Sequence, residues 1–201
     1  MPTGPSRSAL IVGDHLESAH AVLAMNESLV PDDVLTHFLQ AWVEWARGDT
    51  VAARARLERI GVRAVRGDPA AAARALDKAA AGDTTAALKM LREITRTAAL
   101  DPAAHAGLSD LLLPHESAAN EAAIHAFAAK VLDPANPMAW RRWGLCQAMS
   151  RRYEPAQRSF KKYVELAGPA ASRDEDVQRW MAMLARVGPG GDIAQRSLRD
   201  P

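Results

Sequence analysis

The sequence has little from which to build a sheet, a disulfide framework or a membrane span. Aromatic residues make up only 5% of its 201 positions, and Cys146 is the one cysteine. A single cysteine excludes a disulfide scaffold and a CxxC zinc or redox site. Val, Ile, Tyr, Phe and Thr are too few to fill a pleated sheet, and alanine is depleted in strands, which excludes an all-β fold. Long apolar runs are also missing: Ala9-Leu10-Ile11-Val12 is cut short by Gly13-Asp14, and the alanine runs elsewhere are broken by Arg, Asp or Lys. A span needs about 18 apolar residues, and a signal peptide needs a longer apolar core than this. No membrane association is expected, and a cytoplasmic location is. Charge of one sign is absent too. The chain sets 25 Lys+Arg against 24 Asp+Glu, for a formal net charge of +1, which disfavours a globally basic nucleic-acid binder.

What the chain does have is alanine, about a fifth of its residues, and 48% hydrophobic content overall. Alanine is the best helix former, so the composition points to an all-α protein. With ordinary apolar content and little net charge, disorder is excluded. The length suits one compact unit or one short repeat array.

A period is visible in the sequence. Gly48-Asp49-Thr50-Val51-Ala52-Ala53 recurs as Gly82-Asp83-Thr84-Thr85-Ala86-Ala87, and the last alanine belongs to the series Ala19, Ala53, Ala87, Ala122 and Ala156. The steps are 34, 34, 35 and 34 residues. Turn signals precede several of these alanines (Gly13-Asp14, Gly48-Asp49, Gly82-Asp83), and Pro31, Pro69, Pro102, Pro134 and Pro169 follow them. Each unit therefore reads as helix, short turn, helix, proline stop. From Ala53 to Pro69 and from Ala87 to Pro102 the distance exceeds the usual one by about a turn, so a longer second helix is expected there. Short first helices should compensate in the next units, at roughly 69–81 and 102–113, the latter stopped by Pro114.

The segment Pro137-Met-Ala-Trp140-Arg-Arg-Trp143-Gly144, followed by Tyr153, Ala156, Phe160, Tyr163, Leu166 and Pro169, closely resembles a tetratricopeptide repeat. Two departures are visible: Trp143 stands where the family has Leu, and Tyr163 fills a position that is usually small. The preceding units match more weakly, through Ala122, Ala126 and Ala129, through Ala75, Ala87, Leu91 and Ile94, and through Ala41, Ala53, Leu57 and Ile60. The resemblance implies a right-handed α-solenoid of stacked antiparallel helix hairpins. It implies an N-terminal partial repeat (1–33), units at 34–68, 69–102, 103–136 and 137–171, a capping helix (172–188) and a flexible tail (189–201). Hairpins of this length cannot bury their own apolar faces, so they must stack, and open ends need caps. At one end Ser8–Val30 would form one or two helices. At the other, Ser172-x-x-Glu175 reads as a capping box before Val177, Trp180, Met181, Leu184 and Val187.

No HExxH, GxSxG, Gly-rich phosphate loop or metal-spaced His/Cys cluster occurs. The histidines are His15, His20, His37, His105, His115 and His125, and the pair His15/His20 lacks the i,i+4 spacing of one helical face. No catalytic residue, metal ligand or cofactor is expected. Cys146 has no assignable base and reads as a small apolar residue.

In tetratricopeptide proteins the concave groove is lined by the first helix of each hairpin, and the expected partner is another protein or a peptide. Carried onto this chain, the groove positions of the first unit hold Phe38, Trp42 and Trp45. Aromatics in a concave pocket would anchor a partner. The alternative is that this stripe is core, packed against the N-terminal helix, or that the register is off by one. His37, Gln40 and Glu44 would hold the inward family positions, which speaks against a core stripe or for the shifted register. In the last unit the corresponding positions hold Arg141, Arg142, Leu145 and Met149, where the arginines could pair with a partner's carboxylates or simply be solvated. The family's carboxylate clamp is absent, since its Lys and Asn positions carry Phe38, Trp42 and Ala73.

Two basic stretches suggest nucleic acid as a lesser alternative. They are Arg54, Arg56, Arg59, Arg63 and Arg66, and the seven basic residues between Arg141 and Lys162. Without interleaved stacking aromatics, they serve better for solubility or for an acidic protein. The expected function is non-enzymatic adaptor binding. An obligate accessory or secretion-type chaperone subunit is the alternative.

Overall fold

A computed structural model describes residue 11 and residues 15–187. The described residues form ten α-helices: α1 (Leu16–Leu29), α2 (Val34–Ala46), α3 (Thr50–Arg59), α4 (Pro69–Ala80), α5 (Thr84–Thr97), α6 (Pro102–Leu112), α7 (Ala119–Leu132), α8 (Pro137–Met149), α9 (Tyr153–Ala167) and α10 (Glu175–Val187). Short 3-10 turns at Glu116–Ala118 and Gly168–Arg173 precede α7 and α10. The first turn signal, Gly13-Asp14, the tail 189–201 and most of the segment before α1 lie outside the described residues.

The helix boundaries follow local chemistry. Asp49, Asp68, Asp83, Asp101 and Asn136 each accept a backbone N–H from the first turn of the helix they precede. Pro69, Pro102 and Pro137 occupy first-turn positions, where the missing N–H costs nothing. Gly48 and Gly82 take φ +89° and +91° in the matching turns before α3 and α5. The first helices of the second and third units end at Ala80 and Leu112, within a residue of expectation.

Two expectations need correction. Neither second helix expected to be long carries an extra turn: α5 has 14 residues, the same as α7, and that of the first unit, α3, has only 10. Helix α3 stops at Arg59, where Gly61 at φ +75° and Val62 donate their N–H groups to the carbonyls of Glu58 and Leu57. The residues that follow form a linker instead. Within it, Arg63 donates its N–H to Arg96, and the Arg63 and Val65 carbonyls accept from Ala99 and Leu100. At the far end the cap of α10 is Asp174, whose Oδ1 accepts from Val177 N–H at 3.2 Å. Ser172 belongs to the 3-10 turn and donates to the Pro169 carbonyl at 2.8 Å. An aspartate one residue before the helix outcompetes a serine three residues before it.

The helices pack mostly in sequential pairs. Helices α1, α2 and α3 follow one another, and so do α4 through α10, with additional contact between α4 and α6 and between α6 and α8. The main helix contact joining these two groups is non-sequential: α2 lies on α7. Helix α7 is accordingly apolar nearly all round, with Ala122, Ala123, Ala126, Phe127, Ala128, Ala129 and Leu132 buried. The five periodic alanines, Ala19, Ala53, Ala87, Ala122 and Ala156, are all 0% exposed. A larger residue at these points would hold neighbouring helices apart. Among the described residues no helix is long and apolar enough to cross a membrane.

Gly144 of α8 faces α9 at close range. A Cβ there would lie 2.6 Å from the fully buried Phe160 ring. That ring is walled in and cannot swing away, so Gly144→Ala should destabilise the fold by about 2 kcal/mol through overpacking. Urea unfolding of the variant checks this, and an unchanged midpoint would mean that the crossing has slack.

Candidate functional site

Helix α2 has no solvent face along its middle. On one side, Glu44 accepts from Arg56 Nε at 3.0 Å, and Arg56 Nη1 bonds Glu27 at 3.0 Å. Arg56 Nη1 also donates to His37 Nδ1 at 3.1 Å, while His37 Nε2 donates to the Pro31 carbonyl at 2.6 Å. Burial raises the Glu27 pKa, but the Arg56 guanidinium outweighs it and holds the carboxyl below its ordinary value. These contacts pin α1, α2 and α3 to one another.

The opposite side carries the aromatic stripe. Trp42 is 1% exposed, and its ring meets His105 of α6 edge-on at 5.0 Å between centroids. Phe38 meets Trp42 at 5.7 Å and His125 of α7 at 6.3 Å. Trp45 lies 6.5 Å from Trp42, beneath the Arg54 guanidinium at 5.4 Å. Phe38 and Trp45 are half-buried. The stripe's inter-helix ring contacts therefore run to α6 and α7, and His37, Gln40 and Glu44 on the other side are buried as well.

Beneath the stripe His105 and His125 form a pair that spacing did not suggest. They are on different helices, and their Nδ1 atoms are 2.9 Å apart. His105 Nε2 lies 3.0 Å from the Ala99 carbonyl, which can only accept, so this nitrogen carries the proton and His105 Nδ1 is the acceptor. His125 Nδ1–H must then donate to it. Burial pushes His105 down to about 4 and His125 well below its ordinary value. Its neighbour His105 and Arg92 of α5 depress His125 further.

The last unit gathers a second group. Arg141 Nε donates to Asp174 Oδ2 at 2.6 Å, and its Nη2 reaches Asp176 at 3.2 Å. Tyr163 donates its hydroxyl to the same Asp174 at 3.0 Å. The tyrosine thereby ties α9 to the cap of α10. Arg142 pairs with Asp110 of α6 at 2.8 Å, linking the first helices of two successive hairpins. Leu145 is half-buried in the α8–α10 core, and Met149 is 49% exposed. Of the seven anticipated residues, the structure places Phe38, Trp42 and Trp45 in one core cluster. It places Arg141, Arg142, Leu145 and Met149 on α8, so the two sets do not form one pocket.

Other chemistry-bearing groups are engaged internally. Lys130 Nζ sits 4.7 Å from the Phe127 ring centroid and 5.1 Å from those of Trp140 and Trp143. Burial pushes the Cys146 thiol up to about 12, so little thiolate is present at neutral pH. Among the described residues no group of three or more His, Cys, Asp or Glu is placed to hold a metal. An open apolar cleft runs along α4 and α5, lined by Ala71, Ala86, Lys89, Met90, Glu93 and Ile94. Comparison with protein-family models and with curated proteins finds no match for this chain.

Proposed function

We propose that this chain is a non-enzymatic protein–protein interaction module of tetratricopeptide type. In this reading α4–α10 form a right-handed array of stacked hairpins, and α1–α3 fold back onto it. The supporting observation is the packing order: each hairpin rests on the next, and the first helices α4, α6 and α8 also touch in sequence. That order aligns three helices along one side, with Arg142–Asp110 between two of them and the exposed Met149 at the end. A peptide segment or a partner's surface is the ligand such a side accommodates. An obligate accessory or secretion-type chaperone subunit would use the same surface, with a permanent partner.

Nucleic acid is the weaker reading. Arg56, Arg59, Arg141, Arg142 and Lys162 are engaged in salt bridges within the chain, which leaves fewer cations for phosphates. The interaction reading is tested by affinity capture on the full chain and on the pair Arg142→Glu, Met149→Asp. A partly exposed ion pair is worth under about 1 kcal/mol, so this variant should stay folded. The same captured protein should be retained tenfold less by the folded variant. Equal retention by both would sink this surface as the binding side.

A further inference from the structure

We propose that the joint between α2 and α7 is an acid-released latch, in which protonation of the His105–His125 pair undocks α1–α3 from α4–α10. The geometry carries the idea. The joint is the main helix contact between the two groups, it is non-sequential, and the imidazole pair lies at its centre. Trp42 and Phe38 of α2 rest on these two rings, so a change at the pair is felt directly by the docked helix. The joint is also imperfectly satisfied, because the buried Trp42 Nε1–H has no partner. Between the groups lies the linker that follows α3, with Gly61 at its start.

The neutral pair is a matched donor and acceptor. One added proton on His125 Nε2 leaves the Nδ1–H···Nδ1 bond in place, but a second, on His105 Nδ1, turns the contact into donor against donor. Little around the pair would hold a cation. From α2 it meets the Trp42 and Phe38 rings, and from the segment before α6 the Ala99 carbonyl. Asp101, at the start of α6, is committed to the N–H groups of Ala103 and Ala104. Arg92 of α5, paired with Glu121 of α7, adds positive charge, and from α8 comes the neutral Cys146 beside Ser109 of α6. On α7 itself Lys130 is held over the rings of Phe127, Trp140 and Trp143.

The sign follows from linkage. Both histidines bind protons more weakly in the docked state than in an open one. Docking is therefore fully favoured above the ordinary value of 6.5 and loses ground as pH falls toward about 4. A histidine shifted by this much makes opening about 30-fold more frequent at pH 5 than at pH 7.5. Undocking bares the Phe38–Trp42–Trp45 stripe. Its use by a partner rests on the interaction reading above, whereas the release itself does not.

Hydrogen exchange of the full chain at pH 7.5 and 5.0, corrected for intrinsic amide chemistry, tests the latch. Amides of residues 38–45 should open at least tenfold more often at pH 5.0, while those of residues 156–163 in α9 change less than twofold. His125→Phe and, separately, His105→Gln should each reduce the increase. An equal rise in both segments means global acid unfolding and overturns the proposal. So does no rise, or a rise that persists undiminished in whichever variant folds. Because no partner is present, failure of the interaction reading leaves this outcome unaffected.

Discussion

Trp42→Ala should lower folding stability by about 4 kcal/mol, the usual scale for emptying a buried indole site. The ring is fully enclosed between Phe38, Trp45 and His105, and neighbouring helices can close only part of the cavity left behind. Phe38→Ala and Trp45→Ala should cost roughly half as much, since both are half-buried. Urea unfolding followed by far-ultraviolet circular dichroism measures all three. A Trp42→Ala protein with a midpoint near that of the wild type would mean that the indole is dispensable to folding. The stripe would then have to be explained as a surface held for a partner.

The same residue shows how far sequence reasoning reaches. Period and helix boundaries were legible: alanines recur at 34-residue steps, and Gly-Asp before a helix and proline at its first turn act within a few residues, although the cap of α10 is Asp174 and not the anticipated Ser172. The all-helical, pairwise-packed architecture follows from them. The placement of α2 on α7 does not, because a helix as apolar as α7 states only that its faces are covered, not by which neighbour. Nothing in Phe38-x3-Trp42-x2-Trp45 distinguishes a groove from the flank of another helix.

The histidine pair was illegible for a related reason. His105 and His125 meet through the crossing of two helices, and their 20-residue separation is set by a turn of irregular length. One clue lay in α7 itself, where His125 interrupts an apolar stretch that otherwise has no polar centre. Arg141 and Arg142 were legible as cations on a first helix, but their acids are 33 and 32 residues away, on neighbouring units. The 34-residue period had already placed those neighbours within reach, so the internal pairing could have been anticipated from the acids at Asp110 and Asp174.

A second large effect is expected at Arg56. Its guanidinium bonds Glu44 and Glu27 and donates to His37, so it sits where α1, α2 and α3 converge. Arg56→Ala strands Glu44, only 5% exposed, without its counter-charge. Removing one partner of such a pair costs about 3 kcal/mol, mostly the penalty for the charge left behind. Adding Glu44→Gln to Arg56→Ala removes that charge and should recover part of the loss; a full cycle with Glu44→Gln alone apportions the coupling. The effect should depend on pH in a definite direction. Glu27 is held below its ordinary value by Arg56, so the wild type gains from this pair above about pH 4.5 and loses the gain as pH falls further. The stability gap between wild type and Arg56→Ala should therefore be widest at neutral pH and narrow at pH 4. A gap that stays constant across this range would show that Arg56 acts through packing of its aliphatic stem rather than through its charge.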